Sequence, residues 1–226
     1  MAKRRRKVTP AEDEQHVEAV AMNEANADAT RNQNLIFGVL VALVVLFGAY
    51  LAYKHLVVEP KNEKAVALMY EAEQLFAQDS FARALGLPTG GFLDIAENYS
   101  GTPSGNLANY YAGVSYLNIG KYEAAVSYLK DFDAEGDVME IMKYGTLGDA
   151  YSELGKFGDA LDSYRSAARA EDNDVLTPYY LKKAGLLAEK EGKSGDAQEY
   201  FQTIYDNYPN SIEARDIQKY LGRVQG

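Results

Sequence analysis

The chain of 226 residues contains no cysteine and only two histidines, His16 and His55. The absence of cysteine excludes a disulfide framework, a thiolate metal site and a lipid-modified N-terminal cysteine. Neither histidine has a nearby partner in the sequence with which it could act as a general base or activate a nucleophile. We therefore predict that the protein is not an enzyme.

Other short motifs of enzymes and ligand-binding proteins are also lacking. Gly101–Gly105 is not a nucleophile elbow, because its serine is not central and no histidine is available. The acidic run Glu171–Asp174 does not continue as a calcium loop, since Leu176 stands where an EF-hand needs a third oxygen ligand. No glycine-rich loop that could cradle a phosphate is present. We expect no cofactor, no metal ion and no small-molecule substrate.

Positive charge is scarce in most of the chain. Residues 61–226 carry 16 basic and 26 acidic side chains, which matches the whole net charge of −10. Residues 1–34 carry six side chains of each sign. An acidic surface repels phosphate backbones, so general nucleic-acid binding is not expected.

One uncharged stretch stands out near the N-terminus. Leu35–Tyr53 comprises 19 residues, of which 12 are Leu, Ile, Val or Phe. As a helix it would span about 28 Å, close to the thickness of the hydrocarbon core of a bilayer. It follows a long polar tail that carries the basic block Lys3–Lys7. We interpret the stretch as an uncleaved transmembrane anchor; a buried helix of a soluble protein and a cleaved signal peptide are the alternatives.

The distribution of Lys and Arg bears on the orientation of this anchor. The tail holds six of them, which favours a cytoplasmic N-terminus. Close to the anchor the bias is reversed, with Arg31 on one side and Lys54, Lys61 and Lys64 on the other. A long folded domain crosses a membrane largely regardless of its own charges, so the tail receives more weight. We predict a cytoplasmic tail and an extracytoplasmic C-terminal domain.

A helical pattern with two halves occupies residues 147–167. Leu147, Tyr151 and Leu154 fall on one helix face at three- and four-residue steps. Gly148 allows a neighbouring helix to approach closely, and Gly155 stands where the first helix must end. The second helix has a small–large–small pattern at Ala160, Tyr164 and Ala167. Two helices joined by a short turn form an αα-hairpin.

This pattern recurs on both sides. The upstream copy consists of Gly113, Tyr116, Gly120, Tyr122, Ala125, Leu129 and Phe132. The downstream copy consists of Gly185, Ala188, Gly192, Ser194, Ala197, Phe201 and Ile204. The first glycines of the three copies are 35 and 37 residues apart. This period and pattern are typical of tetratricopeptide (TPR) repeats.

An irregular copy precedes the other three. Its first half matches at Ala72, Leu75, Phe81 and Ala84. Phe92 and Ile95 fit the second half only if about four extra residues are allowed. The extra length falls in Gly86–Gly91, where clustered glycine and proline disfavour a helix. We therefore predict four hairpins, of which the first is irregular.

The predicted fold is all-α, with one transmembrane helix followed by a TPR-like α-solenoid. Starts of helices are indicated by Thr102–Pro103, by Thr177–Pro178, by Asp137 with Glu140, and by Asn210 with Glu213. The predicted segments are a mobile cytoplasmic tail at 1–34, the transmembrane helix at 35–53, a connector at 54–60 and a TPR-like domain at 61–226. The predicted hairpins are 61–99, 104–133, 138–170 and 177–208, with a capping helix at 210–222.

A protein-binding surface is expected where the first helix of each hairpin lines the concave side of the stack. The positions outside the packing pattern are Leu107, Tyr110, Val114, Leu117, Met142, Gly145, Asp149, Ser152, Tyr179, Lys182, Leu186 and Glu189. They lack the Lys, Arg and Asn clamp of TPR domains that bind chaperone tails, and a groove for an apolar segment fits them better. The alternative is that these residues pack against neighbours in the same chain.

The arrangement resembles the YfgM-like family, ancillary subunits of the bacterial Sec translocon. The resemblance covers residues 35–226 and includes Gly91-Phe92-x-x-Ile95-Ala96-x-x-Tyr99 and Tyr116-Leu117-x-x-Gly120-Lys121-Tyr122-x-x-Ala125. It implies a bacterial inner-membrane protein with a periplasmic TPR domain. It also implies partnership with translocon subunits and with a membrane-anchored chaperone of the peptidyl-prolyl isomerase type.

Two other functions fit the same architecture. The protein could be a scaffold for another envelope or secretion assembly, which a co-purified partner would reveal. It could instead be a cytosol-facing TPR receptor for protein import, which a reversed membrane orientation would support.

Overall fold

The computed structural model describes residues 36–225 together with Glu18, Val20 and Met22. The tail predicted for residues 1–34 otherwise lies outside the described residues, as do Leu35 and His16. All regular secondary structure of the described residues is helical, which confirms the all-α prediction. The chain forms two compact units, Met1–Val57 and Val58–Gly226.

The first unit contains the apolar helix α1 (36–53). It contains an 18-residue apolar window of which no residue is buried. This helix is long and apolar enough to cross a membrane. Residues 54–60, interpreted as a connector, are also helical, since a π-helix at Lys54–Val58 leads to the first helix of the second unit.

The second unit is a series of helices in which neighbours along the chain pack against one another. Three regular hairpins are formed by α5 with α6, α7 with α8, and α9 with α10, and α11 packs on α10. The helices are α2 Glu59–Ala77, α3 Phe81–Leu85, α4 Phe92–Asn98, α5 Pro103–Asn118, α6 Tyr122–Asp131, α7 Asp137–Glu153, α8 Phe157–Ala170, α9 Leu176–Lys190, α10 Ser194–Asn207 and α11 Ile217–Val224.

In each of the three regular hairpins, a glycine of the first helix lies in close contact with a large side chain of the second helix. A methyl group on Gly148 would lie 2.5 Å from the Tyr164 ring, and equivalent groups on Gly113 and Gly185 would lie 2.5 Å from Leu129 and 2.4 Å from Phe201. Any Cβ would therefore overlap the large side chain of the second helix. The close approach that the sequence predicts at these glycines is confirmed. Gly222 in α11 holds the next equivalent position, 37 residues on, but no atom lies within 4 Å of its Cβ site.

In each of the three regular hairpins, the turn contains a glycine in the left-handed conformation. Gly155 has a φ of +69°, and the N–H of Lys156 donates to the Tyr151 carbonyl at 2.9 Å. Glycine adopts this conformation without the steric cost of a Cβ, so the helix stops there. Gly120 and Gly192 have the same sign of φ at the same place in their repeats.

The first hairpin is irregular, as predicted. Two short helices, α3 and α4, replace a single second helix, and the loop between them contains Gly90 and Gly91. The aromatic packing bridges this interruption, because the fully buried ring of Phe92 stacks on Tyr111 with centroids 4.8 Å apart and meets Phe76 edge-on at 5.9 Å. The insertion is thus accommodated without loss of a core.

Of the four predicted helix starts, one is confirmed and three are wrong. The Thr102 hydroxyl accepts a hydrogen bond from the Gly105 N–H at 3.1 Å, which confirms the predicted cap of α5. The prediction that Thr177 caps α9 is wrong, because the helix begins at Leu176 and the Asn173 side chain accepts from its N–H at 2.9 Å. The predicted cap of α7 by Asp137 is also wrong, since Gly136 precedes the helix without a side-chain bond. The cap predicted at Asn210 is wrong, because Ile212 precedes the 3-10 helix Glu213–Asp216 without a side-chain bond and α11 begins only at Ile217.

Candidate protein-binding surface

The predicted binding positions lie on the first helices α5, α7 and α9 and differ widely in exposure. Tyr179 and Leu186 are 42% and 37% exposed, whereas Tyr110 is only 8% exposed. Gly145 is buried as well, and the remaining positions of the predicted set are half-buried: Leu107, Val114, Leu117, Met142, Asp149, Ser152, Lys182 and Glu189. The two ends of the set therefore offer different amounts of surface to a partner.

The apolar end of this set packs largely on its own chain. The Tyr110 ring lies 5.3 Å from the Phe132 ring, and burial raises the pKa of the Tyr110 hydroxyl. Leu107, Val114 and Met142 pack against the same small core and keep part of their surface exposed. Leu107, Val114 and Met142 form a half-exposed apolar strip, and the buried Tyr110 ring packs beneath it.

A charged group occupies the middle of the set. Asp149 accepts hydrogen bonds from the Lys183 ammonium at 2.6 and 2.8 Å and from the Tyr164 hydroxyl at 2.6 Å. Burial lowers the pKa of Lys183, but the hydrogen bonds and charge of Asp149 outweigh that effect and leave the pKa raised. Burial and the nearby carboxylate raise the pKa of Tyr164 far above its usual value. Asp149 is therefore engaged within the fold.

The Lys183 ammonium group also lies beside aromatic rings. The Lys183 nitrogen lies 4.9 Å from the centre of the Tyr179 ring and 5.9 Å from that of Tyr180. Tyr180 fills the space beside Gly145, where a Cβ would lie 2.0 Å from the ring. Gly145, a predicted binding position, is thus covered by the following repeat, while Tyr179 is held at the surface.

The C-terminal end of the set lies beside the terminal helix. Lys182 forms a salt bridge of 2.7 Å with Asp216, and Glu189 forms one of 2.5 Å with Arg223. The Tyr220 ring lies within 5.1 Å of the Lys182 nitrogen and 4.6 Å of the Arg223 guanidinium carbon. These contacts occupy Lys182, so Leu186 is the exposed apolar residue of this region.

The ion pairs share a spacing that sequence reasoning did not use. Asp149 and Lys183 are 34 residues apart, and the same separation joins Lys182 to Asp216 and Glu189 to Arg223. In a solenoid, residues one repeat apart lie side by side on neighbouring repeats. A search for opposite charges at the repeat spacing could therefore have identified Lys183 as a partner of Asp149.

Metal binding is not indicated within the part of the chain that the structure describes. No group of three or more His, Asp or Glu side chains in residues 36–225 is arranged to hold a metal ion. The side chains that meet on the first helices are aromatic, aliphatic or paired ions. Such a surface can bind another chain through apolar contacts bordered by polar groups.

Comparison with known proteins identifies the repeats. One family model described as tetratricopeptide repeat matches residues 107–134 and 180–211, and a second model with the same description matches residues 144–174. These ranges coincide with the hairpins α5–α6, α9–α10 and α7–α8. Searches of curated proteins and of solved structures give no significant match. The chain therefore contains tetratricopeptide repeats, which indicate a protein–protein interaction module.

Proposed function

We propose that the protein is a single-pass subunit of the bacterial inner membrane whose TPR domain lies in the periplasm. It is an ancillary subunit of the Sec translocon and assists the transfer of secreted chains to a membrane-anchored chaperone of the peptidyl-prolyl isomerase type. The observation that carries this proposal is the presence of an apolar helix and three TPR hairpins in one chain. The resemblance to YfgM-like proteins and the acidic repeats agree with it.

The binding surface of this proposal is the exposed part of the first helices. An apolar segment of a partner would lie along the strip of Leu107, Val114 and Met142 and reach Leu186 and Tyr179. Aromatic and aliphatic side chains in a groove provide most of the affinity for such segments. The paired ions Asp149 and Lys183 add no net charge there, so they do not oppose an apolar partner.

Membrane orientation is tested by cysteine labelling, for which the chain offers a background without cysteine. Lys219→Cys places a thiol on an exposed position of α11, and Ala11→Cys places one in the tail. In intact spheroplasts, a membrane-impermeant maleimide is expected to label the first variant, and the second only after lysis. The opposite result would refute the periplasmic location and favour an import receptor that faces the cytosol.

The partner is tested by crosslinking in living cells. A photoreactive phenylalanine replaces Leu186 in the full chain, and the same residue replaces Glu199 on the exposed face of α10 as a control. We expect translocon subunits or a membrane-anchored isomerase to be captured from position 186 and not from position 199. Reproducible capture of unrelated envelope components instead would identify a scaffold of another assembly and reject the translocon role.

A further inference from the structure

A groove at the C-terminal hairpin lies beside the loops and shares one residue, Tyr179, with the predicted binding positions. It is a cavity of about 470 Å³ between the segment before α9 and the segment after α10. This volume is within the range of about 300–1,000 Å³ that is usual for ligand sites. Its walls include Val175 and Tyr179 on one side and Tyr208 and Ile212 on the other.

Hydrogen bonds connect and order the walls of this groove. The Tyr208 hydroxyl donates to Asp172 at 2.5 Å and so joins the two segments. Burial, and then the hydrogen bond and charge of Asp172, raise the pKa of Tyr208 to about 12. The Asn173 side chain accepts from the N–H groups of Val175 and Leu176 at 3.0 and 2.9 Å. A groove that is already ordered loses little entropy when a partner binds.

Large apolar side chains stand exposed around the cavity. Val175 and Ile212 are each 70% exposed, and Tyr179 is 42% exposed. Single exposed apolar residues are common on protein surfaces, but a cluster around one cavity marks an interaction site. The groove therefore offers contacts for an apolar side chain of a partner.

The charge at the rim of the groove has one sign. Asp174 and Glu213 line the cavity, and no Lys or Arg is among its lining residues. Neither carboxylate forms a salt bridge to another of the residues that the structure describes. Glu171 and Asp172 add negative charge in the adjoining loop. A rim of this kind attracts cations and repels acidic segments.

We propose that this groove docks a short segment of a partner protein that presents a bulky apolar side chain next to a lysine or arginine. The apolar side chain enters between Val175 and Ile212, and the cation meets Asp174 and Glu213. The docking of this segment rests on the proposed function only in requiring a protein partner, and it is independent of membrane orientation and of the translocon.

Binding is measured with the full chain in a non-ionic detergent by fluorescence anisotropy. The probe is a labelled peptide with one leucine between two lysines and with Gly and Ser on either side. Two comparison peptides carry glutamate in place of the lysines or serine in place of the leucine. We expect saturable, salt-sensitive binding of the first peptide and at least tenfold weaker binding of both others, because each loses one of the two kinds of contact.

Paired variants locate the site. Asp174→Asn with Glu213→Gln is expected to weaken binding about tenfold and to reduce its salt dependence. Val175→Ser with Ile212→Ser is expected to weaken binding by a similar factor, and both changes are at exposed positions. The control removes the same charge from exposed sites elsewhere, with Glu97→Gln and Glu199→Gln, and should change binding less than twofold.

Several results would overturn the proposal. They are no binding of the lysine–leucine peptide at millimolar concentration, equal binding of the glutamate peptide, or an equal loss in the control pair. Self-association of the chain that is lost in the Asp174 and Glu213 variant would also overturn it, since the occupant would then be a second copy. The labelling and crosslinking experiments are separate, so this proposal and the proposed function can fail independently.

Discussion

The contact of Gly148 with Tyr164 leads to a quantitative prediction for Gly148→Ala. An exposed Gly→Ala change inside a helix gains up to about 1 kcal/mol from helix propensity. Here the new methyl group would lie 2.5 Å from two ring carbons of Tyr164, which is 5% exposed. The ring cannot shift without disturbing the hydrogen bond of its hydroxyl to Asp149.

The magnitude follows from these opposing effects. Overpacking of a core costs about 1–3 kcal/mol, and a weakened hydrogen bond to a carboxylate adds about 1 kcal/mol. After the gain in helix propensity is subtracted, we expect a net loss of about 2 kcal/mol. In a domain of this size, that loss lowers Tm by about 4–8 °C.

Far-UV circular dichroism of the full chain in detergent, followed during heating, measures this change. The matched control is Gly158→Ala on the next helix, because no atom lies within 4 Å of its Cβ site. We expect the control to keep or slightly raise Tm. If Gly148→Ala raises Tm as much as the control does, the close contact does not determine stability and the packing argument is refuted.

Three further predictions concern single polar groups. Ser115→Ala is expected to raise the free energy of unfolding by about 1 kcal/mol in urea titrations, because the buried hydroxyl has no hydrogen-bond partner among the described residues. Asp149→Asn is expected to lower it by about 1–2 kcal/mol, and much less on a Lys183→Met background, since the ion pair is then already absent. The hydrogen bond from Lys182 lowers the pKa of Asp216. The ionised Asp216 carboxylate therefore stabilises the fold fully above pH ~4, and this stabilisation is lost on further acidification. In urea titrations, the free energy of unfolding should fall less between pH 6 and pH 3 for Asp216→Asn than for the unsubstituted chain.

The repeat architecture could be predicted because local residues determine it. A glycine that contacts a large side chain about 16 residues later leaves a periodic signal in the sequence, as at Gly113, Gly148 and Gly185. The left-handed turn glycines leave a second signal in the same register. Both signals depend on backbone sterics and do not need knowledge of distant contacts.

The details of the surface were less predictable because they depend on contacts between repeats. Sequence reasoning placed Tyr110 on the binding surface, yet the ring is buried against Phe132. It did not identify Lys183, whose partner is 34 residues away. The acidic loop that contains Asp174 was considered only as a calcium site and rejected. Its role in the groove was not predictable, because part of the groove is formed by residues after α10 that are distant in the sequence.

The start of α9 illustrates a related difficulty at the level of a single turn. Thr177 before Pro178 has the composition of a helix cap, but Asn173 supplies the acceptor and the helix begins at Leu176, two residues before Pro178. Thr177 instead accepts from the Asn173 N–H at 3.0 Å and donates to the Glu171 carbonyl at 2.9 Å. Asn173 and Thr177 both have side chains that can cap a helix, and in the observed turn Asn173 accepts from the helix N–H.

The open position beside Gly222 has a consequence for association through α11. By its spacing and its ion pairs, α11 corresponds to the first helix of a repeat. The face of α11 that a second helix would contact carries Gln218, Gly222 and Gln225, all exposed. A polar face of this kind gives a further hairpin, or the end of another copy, little to bind. Head-to-tail association of copies through this face of α11 is therefore disfavoured, and such open association is what leads repeat proteins to form fibres.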